Sequence, residues 1–232
     1  MFAGIAGRYD LVNRVLSGGV DKRWRKRVVA RAGSVAGKTV VDVACGTGDL
    51  AAVFANAGAQ VLGVDFTFEM VALAPGKSKA VRCAAAPVGW VQGDGLELPL
   101  SDDTADVVTI AFGLRNVADR RACLREMARV TRPGGRVIVL EFSMPDRDTF
   151  GRLYRGYLEH VLPRIGGVLS GDRTAYAYLD DTVQNWPGPD ELRADMEETG
   201  YEDCGFERLW RGIACLHWGD VATQGGAEGG AA

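Results

Sequence analysis

The sequence offers one clear candidate for binding chemistry, a glycine turn at 46–49 that follows the apolar run 39–44. Two further apolar runs each end on an acidic residue, at Asp65 and at Asp94. Ligands of open parallel sheets bind beyond the carboxyl ends of the strands, so we expect these three points to meet at one site. A carboxylate that ends the second strand is well placed to accept hydrogen bonds from a ribose.

The charges around the glycine turn distinguish between two classes of cofactor. The turn matches the loose dinucleotide pattern GxGxxA, which alone is weak evidence. Asp42 precedes the turn, Asp49 lies in it, and no Lys or Arg occurs between Thr39 and Gly76. A carboxylate about 4 Å from a phosphate costs about 1 kcal/mol in water and several times more near protein. The turn therefore favours S-adenosylmethionine, which is cationic, over a dinucleotide; a plain strand-to-helix turn is the alternative.

Alternating apolar and helical patterns must position this site. We predict strands at 39–44, 60–65, 89–94, 105–112 and 136–142, and helices at 49–57, 68–73 and 120–130, with RPGG at 132–135 ending the last helix. Short apolar strands separated by helices are typical of a doubly wound parallel α/β sheet. The ending 207–219 is predicted to be a strand pair that turns through Gly212.

The 232 residues suit a single domain at 1–219. Its predicted parts are an N-terminal helical cap at 1–37, a cofactor-binding core at 38–145, a substrate lid with late helices at 146–200, and terminal strands at 201–219. The Gly/Ala-rich tail at 220–232 is predicted to be disordered.

Composition excludes several classes of function. The net charge of −3 argues against a general nucleic-acid binder. The five cysteines form no CxxC pair, so neither a metal site nor a disulfide framework is expected, and a reducing cytoplasm fits best. The chain has neither a signal-peptide pattern nor an apolar run near the roughly 20 residues that cross a bilayer.

Five segments of the chain resemble the quinone C-methyltransferases of menaquinone and ubiquinone biosynthesis, which are class I S-adenosylmethionine-dependent methyltransferases. They are GTGDL at 46–50, FGLRNV at 112–117, REMARVTRPGGRVIVLEFS at 125–143, HVLPRIG at 160–166, and the N-terminal Phe2, Ile5-Ala6, Tyr9-Asp10 and Asn13. The short stretch from Asp65 to Asp94 and NWP at 185–187 look closer to the menaquinone branch. The implied fold is Rossmann-like: a seven-stranded, mostly parallel sheet whose last strand is antiparallel, with helices on both faces and a helical lid.

The resemblance implies methylation of a ring carbon of a polyprenyl demethylmenaquinol, with S-adenosylmethionine as donor and S-adenosylhomocysteine as product. Methylation of a ubiquinone precursor or another phenolic molecule is the first alternative. An NAD-type oxidoreductase and a donor-binding protein without activity are alternatives of other classes. The oligomeric state is left open.

The resemblance places Thr47, Asp65, Asp94, Gly95 and Ala111 at cofactor-binding positions, and the full set of cofactor-binding candidates also includes Asp42, Gly46, Gly48 and Phe66. Two positions depart from the family pattern. Ala111 stands where the family usually has Ser, so a hydroxyl contact would be lost there. Ala44 replaces the first glycine of DxGxGxG, and we expect its methyl group to be tolerated if its φ is negative.

The catalytic candidates are Arg115, Asn116, Tyr9 and Asp10. Arg115 and Asn116 follow the fourth strand and are expected to face the donor's methyl group. Arg115 could bind a quinol oxygen, but it stays charged, so a base role would act through water. Tyr9 and Asp10 could close over the site, with Asp10 as a possible base; a structural Arg115–Asp10 ion pair is the alternative.

The substrate-binding candidates are Arg115, His160 and Tyr154. His160 could line the lid, although a hydrogen-bonded structural role is commoner for a histidine in such a place. Tyr154 belongs to an apolar and aromatic set at 154–168 that either packs under the lid or forms the wall of a prenyl tunnel.

The stretch 21–31, DKRWRKRVVAR, is strongly basic. The usual explanation is a solvated helical face around the buried side chains of Trp24, Val28 and Val29. A polyprenyl quinol lies in the membrane, however, and anionic lipids attract each Lys or Arg by about 1 kcal/mol. We therefore expect a cytoplasmic protein that docks weakly on the inner face of the membrane through this patch and the 150–170 lid.

Overall fold

The computed structural model describes residues 19–80, 88–146, 148–161, 182–183 and 186–223. Within these residues the strands are β1 (Thr39–Val43), β2 (Gln60–Asp65), β3 (Val88–Gln92), β4 (Ala105–Ala111), β5 (Thr131–Phe142), β6 (Tyr201–Leu209) and β7 (Ala214–Val221). The helices are α1 (Asp21–Ala32), α2 (Asp49–Asn56), α3 (Phe68–Ala80), α4 (Arg120–Val130), α5 (Thr149–Gly156) and α6 (Pro189–Glu198).

These strands form one sheet in the order β3-β2-β1-β4-β5-β7-β6. The ladders between β1 and β2, β2 and β3, β1 and β4, and β4 and β5 are parallel. β7 runs antiparallel to both of its neighbours, β5 and β6. The predicted seven-stranded Rossmann-like sheet with an antiparallel last strand is therefore confirmed. Its strand order reverses beside β1, which is where ligands bind in such sheets.

Alternate residues of each central strand pack into two separate apolar layers, one on each face of the sheet. In β1, Val40 belongs to the layer under α1 and α2, whereas Val41 belongs to the layer under α4 and α6. In β5, Ile138 faces the first layer and Val139 the second. Because the sheet is covered on both faces, the sequences of these strands are continuous apolar runs.

The structure corrects several predicted boundaries. α3 continues through Pro75 to Ala80 instead of ending at Leu73. β5 begins at Thr131, so RPGG lies within it; the register shifts there, between the pairs Ala105–Thr131 and Val107–Arg136, and Gly134 has a φ of +74°. Asp220 and Val221 belong to β7 rather than to a disordered tail.

The N-terminal and lid regions are only partly described. Of the predicted cap at 1–37, α1 is helical and 33–37 are not. Residues 1–18, 162–181 and 224–232 lie outside the described residues, so the division into cap, core and lid stays a prediction. No helix in the described part is long and apolar enough to cross a membrane. The described residues also contain no group of His, Cys, Asp and Glu side chains that could hold a metal ion.

Candidate active site

The chain leaves β1 through a tight turn in which several residues adopt left-handed backbone conformations. Gly46 and Gly48 have φ values of +55° and +85°, and Gly48 directly precedes α2. Ala44 has a φ of +50°, so the condition under which its methyl group was expected to be tolerated is not met. A left-handed conformation costs a residue with a Cβ roughly 1–2 kcal/mol, which is why the family pattern has glycine here.

We expect Ala44→Gly to raise the free energy of unfolding by up to about 1 kcal/mol. Glycine relieves the strain at φ +50°, although its greater freedom in the unfolded chain offsets part of the gain. Urea titration measures this change. Ala52→Gly, inside α2, is the matched control and should cost about 1 kcal/mol. Equal losses in the two variants would contradict the strain assigned to Ala44.

Asp65, the last residue of β2, braces the glycine turn. Its Oδ2 accepts a hydrogen bond from the backbone N–H of Gly46 at 2.8 Å, and its Oδ1 accepts one from Thr67 N–H at 2.8 Å. Burial raises the pKa of the Asp65 carboxyl, while the hydrogen bonds from Thr67 and Gly46 act in the opposite direction. The side chain thus fixes the position of the turn relative to the second strand.

A cavity of about 270 Å³ opens at the carboxyl ends of β1 to β4. Its lining consists of Val43, Ala44, Gly46, Asp65, Phe66, Thr67, Met70, Gly93, Asp94, Gly95, Leu96, Gly113, Asn116, Val117 and Ala118. None of these lining residues is basic, while two are carboxylates and several are apolar. Such a cavity fits a cationic adenosyl cofactor, with carboxylates for its hydroxyl and ammonium groups and apolar walls for its base.

The cofactor-binding candidates divide into two groups by position. Gly46, Asp65, Phe66, Asp94 and Gly95 line the cavity, and Phe66 is 71% exposed. Thr47 is buried and Ala111 is half-buried, and both lie outside this lining together with Asp42 and Gly48.

Gly48 allows the indole of Trp90 in β3 to pack closely against the glycine turn. A Cβ placed on Gly48 would lie 2.3 Å from Cη2 of Trp90, and one on Gly63 would lie 2.6 Å from the same ring. Both glycines therefore make room for Trp90, which supports the turn. The sequence gives no direct signal for this contact, because the residues are distant along the chain.

A basic side chain from outside residues 39–76 partly neutralises the acidic charge at the glycine turn. Arg25 of α1 forms a buried ion pair with Asp21, and its Nη2 lies 3.6 Å from Oδ2 of Asp49. The carboxylate of Asp49 is thus partly neutralised, contrary to the assumption made from residues 39–76. The preference for a cationic ligand rests instead on Asp65 and Asp94, which line the cavity.

Asp42, in β1, is buried. Its Oδ1 accepts a hydrogen bond from Thr109 Oγ1 at 3.1 Å, and its Oδ2 has no hydrogen-bond partner among the described residues. Burial raises the pKa of Asp42 to about 7, against the opposing effects of the Thr109 hydrogen bond and the charge of Arg25.

We expect Asp42→Asn to stabilise the protein increasingly as the pH rises from 5 to 7. The folded protein retains the Asp42 proton up to about pH 7, whereas an ordinary aspartate loses it near 3.8. The parent's stability therefore falls with rising pH in this window, and the asparagine variant escapes that loss. Urea titrations at several pH values measure the difference, which should level off above pH 8. A difference that is constant from pH 5 to 8 would refute this assignment.

The two polar residues after β4 have different surroundings. They lie on a short 3₁₀ turn at Leu114–Asn116. Asn116 lines the cavity, and its Nδ2 is 3.4 Å from the carbonyl oxygen of Phe112. Arg115 turns away from the lining and is only 3% exposed in its side chain; its Nη1 pairs with Oε1 of Glu141 at 2.5 Å. Sequence reasoning missed Glu141, although a lone acidic residue in the apolar run VIVLEF was a possible signal.

Two further candidates, Tyr154 and His160, do not line the described cavity. Tyr154 is buried in α5, where its ring stacks between those of Phe150 and Tyr157 at centroid distances of 6.4 and 6.2 Å. His160 is exposed, in a π-helical turn at Tyr157–Val161. Tyr9 and Asp10 lie outside the described residues, so their predicted roles stay predictions.

Comparisons with known proteins indicate what kind of site this cavity is. The sequence model of the ubiE/COQ5 methyltransferase family matches residues 1–221. A demethylmenaquinone methyltransferase of Thermus thermophilus is 46% identical over 222 residues, covering 95% of this chain and 99% of that protein. One from Corynebacterium glutamicum is 43% identical over 217 residues, covering 94% of this chain and 90% of that protein.

Solved structures share the fold at low sequence identity. A possible histamine N-methyltransferase of Thermotoga maritima superposes with a TM-score of 0.65 at 18% identity, covering 94% of this chain and 97% of that one. The magnesium protoporphyrin IX methyltransferase of Synechocystis, with bound S-adenosylhomocysteine, gives 0.62 at 20% identity, covering 87% and 84%. At this identity the likeness establishes the fold alone.

Proposed function

We propose, because this chain belongs to the ubiE/COQ5 methyltransferase family, that it methylates demethylmenaquinol at a ring carbon and so forms menaquinol. The protein is a methyltransferase, and its cofactor is S-adenosylmethionine. The observation that carries the choice of a quinol substrate is the identity of 40–46% to proteins named demethylmenaquinone methyltransferase, over 94–95% of the chain.

The cavity supports this proposal through its charge. When bound, the cofactor supplies an electrophilic methyl group. Asp65 would hold the ribose hydroxyls, because its carboxylate ends β2 and lines the cavity. Asp94 would attract the cation, and the backbone N–H groups at the start of α2 would meet its carboxylate. Such a site discriminates against the phosphates of a dinucleotide.

Methyl transfer to the quinol depends more on how the substrate is positioned than on additional charged groups. The quinol ring carbon attacks the methyl group in line, and charge disperses as it does so. Holding the two carbons at near-attack distance in a dry site can supply most of the acceleration. We propose that Asn116, in the cavity wall, orients a quinol hydroxyl whose proton passes to water, while Arg115, which is buried and turned away from the lining, holds in place the segment that carries Asn116.

Calorimetry tests the cofactor class. We expect S-adenosylhomocysteine to bind with a stoichiometry of one and NAD to give no isotherm under the same conditions. Binding of NAD with equal or higher affinity would favour the oxidoreductase alternative.

A competition assay tests the choice of quinol. Labelled S-adenosylmethionine is supplied with equal amounts of reduced demethylmenaquinone and a reduced ubiquinone precursor. We expect kcat/KM for demethylmenaquinol to be at least about tenfold higher, which corresponds to about 1.4 kcal/mol. Equal or faster methylation of the ubiquinone precursor would overturn the assignment to the menaquinone branch.

We further propose weak docking on anionic membranes through α1. The helix exposes Lys22, Arg23 and Lys26, and Trp210, which is 50% exposed, lies with its ring 6.3 Å from that of Trp24. Basic side chains near an interfacial tryptophan are typical of membrane-binding surfaces.

Vesicle flotation tests this surface. Vesicles with anionic lipid should carry the protein at low salt and release it at high salt. We expect the double change Lys22→Glu and Lys26→Glu to abolish flotation, whereas Lys38→Glu, directly before β1, should not. Flotation that ignores salt and both charge changes would count against the proposal.

A further inference from the structure

We propose that Glu141 is a positioning residue that holds Arg115 and the adjoining cavity wall in place. Glu141 is the penultimate residue of β5 and its side chain is 1% exposed. This inference rests on the proposed function, because it assigns Glu141 a role in the same methyl transfer. Neither the cavity lining nor the set of candidates obtained from the sequence includes it.

Both oxygens of the Glu141 carboxylate are committed to the segment that follows β4 or to its own strand. Oε1 accepts hydrogen bonds from Nη1 of Arg115 at 2.5 Å and from the backbone N–H of Phe142 at 2.8 Å. Oε2 accepts one from the backbone N–H of Arg115 at 3.3 Å. One carboxylate thus fixes the guanidinium and the main chain of the same arginine.

The surroundings of the pair restrict the guanidinium further. Nη1 of Arg115 also donates to the carbonyl oxygen of Phe112 at 2.7 Å, and its guanidinium carbon lies 5.3 Å from the centroid of the Phe142 ring. Because a guanidinium is planar and rigid, contacts at one nitrogen and over one ring set the direction of the whole group.

The location of the pair connects it to the reaction. Arg115 lies in the segment 113–118, in which Gly113, Asn116, Val117 and Ala118 line the cavity. The Glu141 carboxylate is the point where β5 holds this segment. A shift of the wall by about 1 Å can cost on the order of 100-fold in rate, since the reacting atoms depend on near-attack geometry.

Stability alone is a weak reason for such a buried pair. Removing two charges from water costs several kcal/mol per ion, and apolar residues of similar volume are often as stable or more so. A pair that holds the segment forming a cavity wall has a reason to be retained. The carboxylate of Asp195 in α6 is similarly buried, but it contacts Arg120 and Arg121, whose side chains are 30% and 47% exposed, and it lies outside the cavity lining.

The test compares Glu141→Gln with Asp195→Asn in the full-length protein. Each change removes one buried carboxylate charge and keeps an oxygen acceptor of similar size. We expect Glu141→Gln to lower kcat at least 30-fold, while the Kd for S-adenosylhomocysteine stays within about threefold of the parent value. Asp195→Asn should lower the melting temperature and leave kcat within twofold.

Glu141→Asp is the second variant, in case the glutamine variant does not fold. It keeps the charge but withdraws the carboxylate from Nη1 of Arg115, so a similar loss of kcat is expected with cofactor binding retained. Suppose that the parent protein is active and that one of the two Glu141 variants folds. If the kcat of that variant stays within twofold of the parent value, Glu141 has no positioning role. A parent that methylates no quinol would instead refute the proposed function, so the two failures are distinguishable.

Discussion

Replacing Asp65 by alanine is expected to weaken the binding of S-adenosylhomocysteine about 100-fold. The change removes two hydrogen bonds at 2.8 Å that hold the glycine turn, from Gly46 N–H and Thr67 N–H. It also removes the acceptor that we assign to the ribose. Each hydrogen bond to a charged group contributes about 1.5–3 kcal/mol. A 100-fold weaker affinity corresponds to about 2.7 kcal/mol, which is less than the sum for two such bonds. Isothermal titration calorimetry measures it.

The control for this prediction is Asp106→Ala. Asp106 also accepts a backbone hydrogen bond at 2.8 Å, from Thr39 N–H, but it does so at the start of β1, away from the cavity. We expect that variant to lose stability and to keep its affinity for the cofactor product. An Asp65→Ala protein that binds within threefold of the parent would show that the ribose lies elsewhere.

Gly48→Ala is expected to have the largest effect on the glycine turn. The new methyl group would meet Trp90 at 2.3 Å, at a residue whose φ is +85°. Overpacking costs about 1–3 kcal/mol and a left-handed Cβ about 1–2 kcal/mol, so we expect a loss of about 3 kcal/mol in the free energy of unfolding. Since the clash displaces the turn that lines the cavity, cofactor binding should fall below detection.

Two further variants separate the causes of that loss. Gly200 has a φ of +99° and no atom within 4 Å of a built Cβ, so Gly200→Ala should show the backbone strain alone, about 1 kcal/mol. In a Trp90→Leu background the extra cost of Gly48→Ala should shrink towards that value. Equal losses for Gly48→Ala and Gly200→Ala in the parent would mean that Trp90 does not support the turn.

The part of the site that the sequence could predict is the part built by local patterns. Alternating strands and helices place the ends of β1, β2 and β3 together, so Gly46, Asp65 and Asp94 were found from their positions in the chain. Their meeting at one cavity follows from parallel strands alone. The family resemblance added the direction of β7, which no periodicity reveals.

The remainder depends on contacts between distant segments. Arg25 reaches Asp49 from a helix that precedes the first strand, and Glu141 reaches Arg115 from the neighbouring strand of the sheet. No spacing rule connects such pairs. The positive φ of Ala44 could not be foreseen for a related reason, because the tight turn after β1 imposes a conformation that the side chain itself disfavours.

The proposed function is the transfer of a methyl group to a ring carbon of a reduced quinone. It can be tested by supplying S-adenosylmethionine carrying a ¹³C-labelled methyl group, together with demethylmenaquinone in reduced or in oxidised form, and locating the label in the product by NMR. We expect a labelled methyl group on the quinone ring carbon, formed only with the reduced acceptor. A label on oxygen, or equal transfer to the oxidised quinone, would contradict it.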